Sequence, residues 1–158
     1  MATAKHVAKR FLMMLAGYFV AVLVGLIAVV TIYGALSSLP DAPAYFDFMG
    51  VSPIAALVVP PLGMFIYFLT IVLTGPQTLI FALIAELFSL RSFWLHMIFG
   101  AAAAAAGFVL IWPSAPGDLS PERWADIGII AAAGLVAGLV YWLIAGREAG
   151  LRRPLSLR

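Results

Sequence analysis

The chain has 158 residues, of which 65% are hydrophobic and 10% charged, with a net charge of +2 and no cysteine. Soluble domains carry about 45–50% apolar and about 25% charged residues, so a soluble fold of this size could not hide so much apolar surface. The missing cysteines exclude disulfides, thiol redox chemistry and Cys-ligated metals.

The first span, residues 10–36, is expected over an apolar run from Phe11 to Leu36 that follows a basic head of Lys5, Lys9 and Arg10. It is about 26 residues long, against about 7–15 for the core of a signal peptide, so it reads as an uncleaved membrane helix with the basic residues as interface anchors. Ser37, Ser38 and Pro40 end it. The segment that follows carries Asp41, Asp47, Tyr45, Phe46 and Phe48, a mixture suited to a loop lying on the membrane surface.

Ser52-Pro53 reads as an N-cap with proline at the first helical position. Apolar sequence then continues from residue 53 to 90, past Pro60-Pro61 and Gly75-Pro76. A straight helix of that length would be about 57 Å, well beyond what a bilayer needs, yet each half is too short for a full span. Each proline removes an N–H and crowds the carbonyl four residues back, so a break or kink is expected at both sites. Arg91-Ser92 makes a tight turn into the third helix, residues 93–112. Ser120-Pro121-Glu122 then combines a capping oxygen, an N1 proline and a first-turn acid at the start of the fourth, residues 121–146. Trp94 and Trp112 bracket the third helix, and Trp124 and Trp142 the fourth. Each pair is separated by about 18 residue steps, or about 27 Å at helical rise, which matches a hydrocarbon core flanked by headgroup-level tryptophans.

The fold expected is therefore an all-α integral membrane protein, a four-helix transmembrane bundle forming a single membrane domain, its second span broken or kinked. Four spans place Lys5, Lys9, Arg10, Arg91, Arg147, Arg152, Arg153 and Arg158 on one side and only Arg123 on the other. The positive-inside rule makes that side cytoplasmic, with both termini there; in a bacterium the membrane would be the inner one. Five spans would divide the basic set.

Glu86, Arg91 and His96 form the candidate polar intramembrane site. Glu86 and His96 each stand five residues from Arg91, so in a hairpin turning there they share a depth. An ionisable group inside a span is costly and marks a functional candidate. A carboxylate and an imidazole at one level can relay protons or hold a cation; the plainer reading is that they pair or snorkel and fix the hairpin's register. Arg91 lies about 140° around the axis from Glu86, so it is expected to snorkel to headgroups, leaving His96 as the interior partner. Asp126, two residues beyond Trp124, is expected to complement the dipole of the fourth helix. His96 stands in the same relation to Trp94, a faint sign of an inverted repeat that a chance match between two Ala-rich helices explains as well.

Small residues at four-residue spacing line three helices: Gly17, Ala21 and Gly25; Gly100, Ala104 and then Gly107; Gly134 and Gly138. They suit either packing within the bundle or a contact with a second copy or a larger membrane complex. The proline breaks invite comparison with transporter sites, though only Tyr67, Thr70, Thr74, Gln77 and Thr78 lie near to complete one. No catalytic, cofactor or metal motif is present: His6 and His96 have no ligand-spaced companions, no serine sits in a nucleophile elbow, and no phosphate loop or nucleic-acid motif occurs. The function expected is packing, assembly or accessory support in the membrane, without enzymatic activity, cofactor or nucleic-acid partner. The alternative is a small oligomeric transporter or channel using the broken second span and Glu86.

Topology reporters test the arrangement. Fusions after Asp47 and Asp118 should report the outer side, and fusions at Arg91 and Arg158 the cytoplasm. If Arg91 and Arg158 report opposite sides, the span number is odd.

Overall fold

A computed structural model describes residues 2–37, 53–111, 113 and 120–149. Trp112, Asp118, the loop bearing Asp41 and Asp47, and the tail arginines Arg152, Arg153 and Arg158 lie outside them. Four helices account for most of the described chain: α1 (Ala2–Ser37), α2 (Pro53–Phe88), α3 (Phe93–Ile111) and α4 (Pro121–Ile144), the last followed by a 3₁₀ turn, Gly146–Glu148. There is no strand among the described residues, and each helix is long and apolar enough to cross a membrane. Large apolar side chains such as Leu62, Met64, Phe65, Phe68, Leu87 and Phe88 stand exposed on α2 alone. A helix apolar all round suits a membrane span, where hydrocarbon covers that surface.

The helix signals in the sequence operate as local physics requires. Ser120 adopts an extended conformation and its Oγ accepts from Arg123 N at 3.4 Å, with Pro121 in the first turn and Glu122 beside it. α2 begins at Pro53 as expected; of the break or kink expected at its prolines there is no break, for the helix runs through Pro60, Pro61 and Pro76 without interruption. Pro76 deletes the bond to the Val72 carbonyl. Around it the Thr70, Thr74 and Thr78 hydroxyls bond back to the carbonyls of Ile66, Thr70 and Thr74, at 2.8–2.9 Å. Tyr18 of α1 adds a bond to the Ile71 carbonyl at 2.9 Å. Membrane helices tolerate proline where hydroxyls and neighbouring helices engage the backbone in this way. α2 ends in a Schellman arrangement: Ser89 takes a left-handed conformation (φ 53°) and Leu90 N bonds Ala85 O at 2.8 Å.

α4 is the centre of the bundle. Its broadest contact is with α3 and its next with α1, whereas α2 lies against α1 and α3 more thinly. The small-residue faces create the two broad contacts. A Cβ at Gly134 would come 2.8 Å from the Ala101 Cα, and one at Gly138 would come 2.9 Å from the Met97 Cα. No side chain fits between those backbones. On the other side of α4, a Cβ added at Gly17 of α1 would come 3.3 Å from Ile144 and one at Gly25 3.2 Å from Ala137. All three small-residue faces thus make contacts within the bundle, the first of the two uses the sequence allows.

A larger residue at the α3/α4 contact must push the helices apart. Gly138→Leu should lower stability by about 1–3 kcal/mol or more, read as a lower midpoint in thermal unfolding in detergent. Gly128→Leu should change it little, since nothing lies near Gly128.

Candidate functional site

The polar centre lies at the end of the bundle where α1 begins and α2 ends, and its first member is Arg10. One helix phase explains why. Arg10 precedes Gly17 by two helical turns, so it projects on the small-residue face that meets α4. Its side chain is turned inward, 4% exposed, and Nη2 donates to Glu86 Oε1 of α2, itself 5% exposed. The same nitrogen donates to the Ala145 carbonyl at 3.3 Å, at the C-terminal end of α4. Three helices therefore meet at one guanidinium. Thr74, Thr78, Ala82 and Glu86 follow one another at four-residue spacing, which puts Glu86 on the inward face of α2. Arg10 is thus a clamp inside the bundle, where the sequence suggested an interface anchor beside Lys9.

His96 is the most deeply buried large side chain, 2% exposed. Its Nδ1 bonds the Ser92 carbonyl at 2.9 Å. A carbonyl only accepts, so Nδ1 carries the proton, and in the neutral ring Nε2 is a bare acceptor. Nε2 has no hydrogen-bond partner among the described residues. It faces Gly146, where an added Cβ would lie 2.8 Å away. The ring packs edge-on to Phe81 (5.2 Å between centroids, 84°) and near-parallel to Tyr141 (5.9 Å, 27°). Phe81 in turn stacks on Phe99 at 4.1 Å. α2 and α3 are therefore close at this level, as the hairpin predicts. Proximity does not extend to a Glu86–His96 hydrogen bond: Arg10 bonds the carboxylate and the Ser92 carbonyl the imidazole.

Arg91 is exposed at the same end of the bundle and is also held locally. Its Nε donates to the Ala149 carbonyl at 2.9 Å, and its own carbonyl accepts from Trp142 Nε1 at 2.7 Å. The α2–α3 turn is thereby tied to the end of α4, with Arg147 over the Trp142 ring at 5.7 Å. The three residues singled out in the sequence thus lie at one end of the bundle, each with a different local partner.

Two other polar nodes hold the helices. Tyr18 of α1 reaches Ile71 O and Thr74 Oγ1 of α2, both at 2.9 Å, and Tyr67 of α2 reaches back to Phe19 O at 3.1 Å. At the far end, Tyr33 donates to Asp126 Oδ1 at 2.6 Å. Asp126 thus joins α1 to α4, a role beyond the dipole contact expected of it. Arg123 lies over the Phe108 ring at 5.5 Å. Between the two ends runs a cavity of ≈ 290 Å³ touched by all four helices. No group of three or more metal-ligating side chains occurs among the described residues.

The chain matches no family model, no curated protein and no solved structure. Its class rests on its own geometry: it is a small four-helix membrane protein, with a buried ion pair and a buried histidine at one end.

The histidine's role is separable by shape. His96→Phe keeps the aromatic packing and removes the unmet acceptor, so stability should stay within about 1 kcal/mol of the parent. His96→Ala empties the space and should cost about 2–4 kcal/mol. Thermal unfolding of the two variants in one detergent checks the difference. Equal loss in both would show that the imidazole nitrogen itself is needed.

Proposed function

We propose that the protein is a packing or assembly module of a membrane, an accessory component rather than a catalyst or a conduit. The observation that carries this reading is the pairing of Arg10 with Glu86 inside the bundle. The two charges at membrane depth answer each other and hold helices together. A conduit needs polar groups that face a path and exchange partners; here the tyrosine and threonine hydroxyls of α1 and α2 serve bonds within the bundle. The unbroken α2 likewise leaves no half-helix ends to bind a solute.

In this reading α1, α3 and α4 form the rigid unit and α2 is the face offered to a neighbour. α2 is the helix its own bundle holds least, and among the described residues it carries the largest set of exposed large apolar side chains. The polar end is cytoplasmic, following the basic residues around it. The small oligomeric transporter remains the competing reading, and it makes Glu86 the working group.

Two measurements divide these readings. Cross-linking in native membranes followed by mild-detergent purification should recover a defined larger assembly, with cross-links clustered on α2. A monodisperse monomer without partners contradicts the proposal. Reconstituted protein should carry no proton or solute flux that Glu86→Gln abolishes; such a flux in the parent protein would establish the transporter.

A further inference from the structure

The cavity is a long slot. Its walls run over Tyr18 to Val29 of α1, Ile66 to Phe81 of α2, His96 to Ile111 of α3 and Ile130 to Tyr141 of α4. At helical rise these stretches measure about 16–22 Å, more than half of a hydrocarbon core about 30 Å thick. The slot therefore lies along the membrane normal, inside the apolar layer.

Its chemistry is apolar on every side. α1, α3 and α4 contribute alanines and glycines, among them Ala21, Gly25, Ala103 and Ala133, which leave width between their backbones and α2. Five hydroxyl-bearing residues line the slot, Tyr18, Thr70, Thr74, Thr78 and, at the polar end, Tyr141. The tyrosine and threonine hydroxyls of α1 and α2 are already engaged within the protein. At the polar end Phe81, His96 and Tyr141 line the slot, with the His96 Nε2 turned to Gly146. Water entering such a slot would find few groups to bond, since an ordered water needs about 2–4 polar partners. An empty slot would forfeit the close packing that protein interiors otherwise reach. The solvent around this protein is hydrocarbon, and α2, which forms one wall, touches its neighbours thinly.

We propose that the slot holds one acyl chain of a membrane phospholipid, wedged between α2 and the α1–α3–α4 unit. The chain supplies the packing that the small residues of three helices omit opposite α2. It also explains a bundle that brings glycines into backbone contact at α3/α4 yet leaves a void beside α2. The lipid is then a structural component of the bundle, distinct from the lipid that covers its exterior. The inference does not depend on the proposed accessory role, and holds for a transporter equally.

The test uses the full chain in nanodiscs of phospholipid bearing a mid-chain diazirine. After photolysis, peptide mapping should find label on Val22, Phe99 or Ala103 in the slot, as well as on exterior residues such as Phe65. Native mass spectrometry after detergent exchange should show one retained phospholipid per chain. A retained mass equal to a free fatty acid would contradict the phospholipid assignment. Ala103→Phe should fill the slot and lower its labelling by about tenfold, as expected when an occupied space is overpacked, with Phe65 labelling unchanged. If that variant does not fold, Val22→Phe blocks the slot from α1 in the same way. Exterior label with an unlabelled slot wall would overturn the proposal, as would undiminished slot labelling in a folded filled variant.

Discussion

A charge cannot be left alone inside a bilayer, and this constraint organises the polar end of the bundle. An Arg or Asp at a helix centre costs about 2.5–3.5 kcal/mol on insertion scales. Arg10 and Glu86 answer the problem by meeting each other, with the Ala145 carbonyl as a third partner. Because the partners sit on α1, α2 and α4, satisfying the charges fixes how far each helix slides against the next. The tyrosines at Tyr18 and Tyr67 repeat the principle between α1 and α2, and Tyr33–Asp126 repeats it at the far end. Lipid tails are as apolar as leucine, so burial does not drive one apolar helix face onto another. Polar contacts and backbone-close packing must do it.

The two kinds of contact divide the bundle. α3 and α4 are joined by backbone proximity at Gly100, Gly134 and Gly138, with His96 and Tyr141 closing one end. α2 has no comparable glycine face against its neighbours. It is held by Glu86, by the tyrosine bonds and by Phe81 on Phe99. The slot beside α2 is the spatial consequence of this difference, since side chains at a few points hold helices farther apart than glycines do along a seam.

Much of this was legible in the sequence, and the exceptions have physical reasons. Four spans could be read from hydropathy and tryptophan spacing, and the start of α4 from Ser120-Pro121-Glu122, because capping chemistry is local. The small-residue faces were legible as close-packing surfaces, though whether they packed inward or outward was not. Arg10 was misread since it adjoins Lys9 and looks like one more anchor. Its phase with Gly17 and Ala21 was the available signal, for a residue on a face that must pack closely cannot also snorkel. The Glu86 partner lies 76 positions away in the chain, on a different helix, and no spacing rule reaches that far. At Pro76 the continuity of α2 goes with the hydroxyls of Tyr18, Thr70, Thr74 and Thr78 around it, partly a tertiary circumstance that local sequence does not show.

The central claim is that Arg10 and Glu86 act as one unit that positions α1, α2 and α4. A double-mutant cycle of Arg10→Met, Glu86→Met and the double substitution, read by equilibrium unfolding in one detergent, tests it most directly. Each single variant leaves a buried charge without its counter-ion and should lose about 3–5 kcal/mol, whereas the double variant should return to within about 1 kcal/mol of the parent. Additive losses in the double variant would contradict the account, for they would mean that the two side chains stabilise the bundle independently.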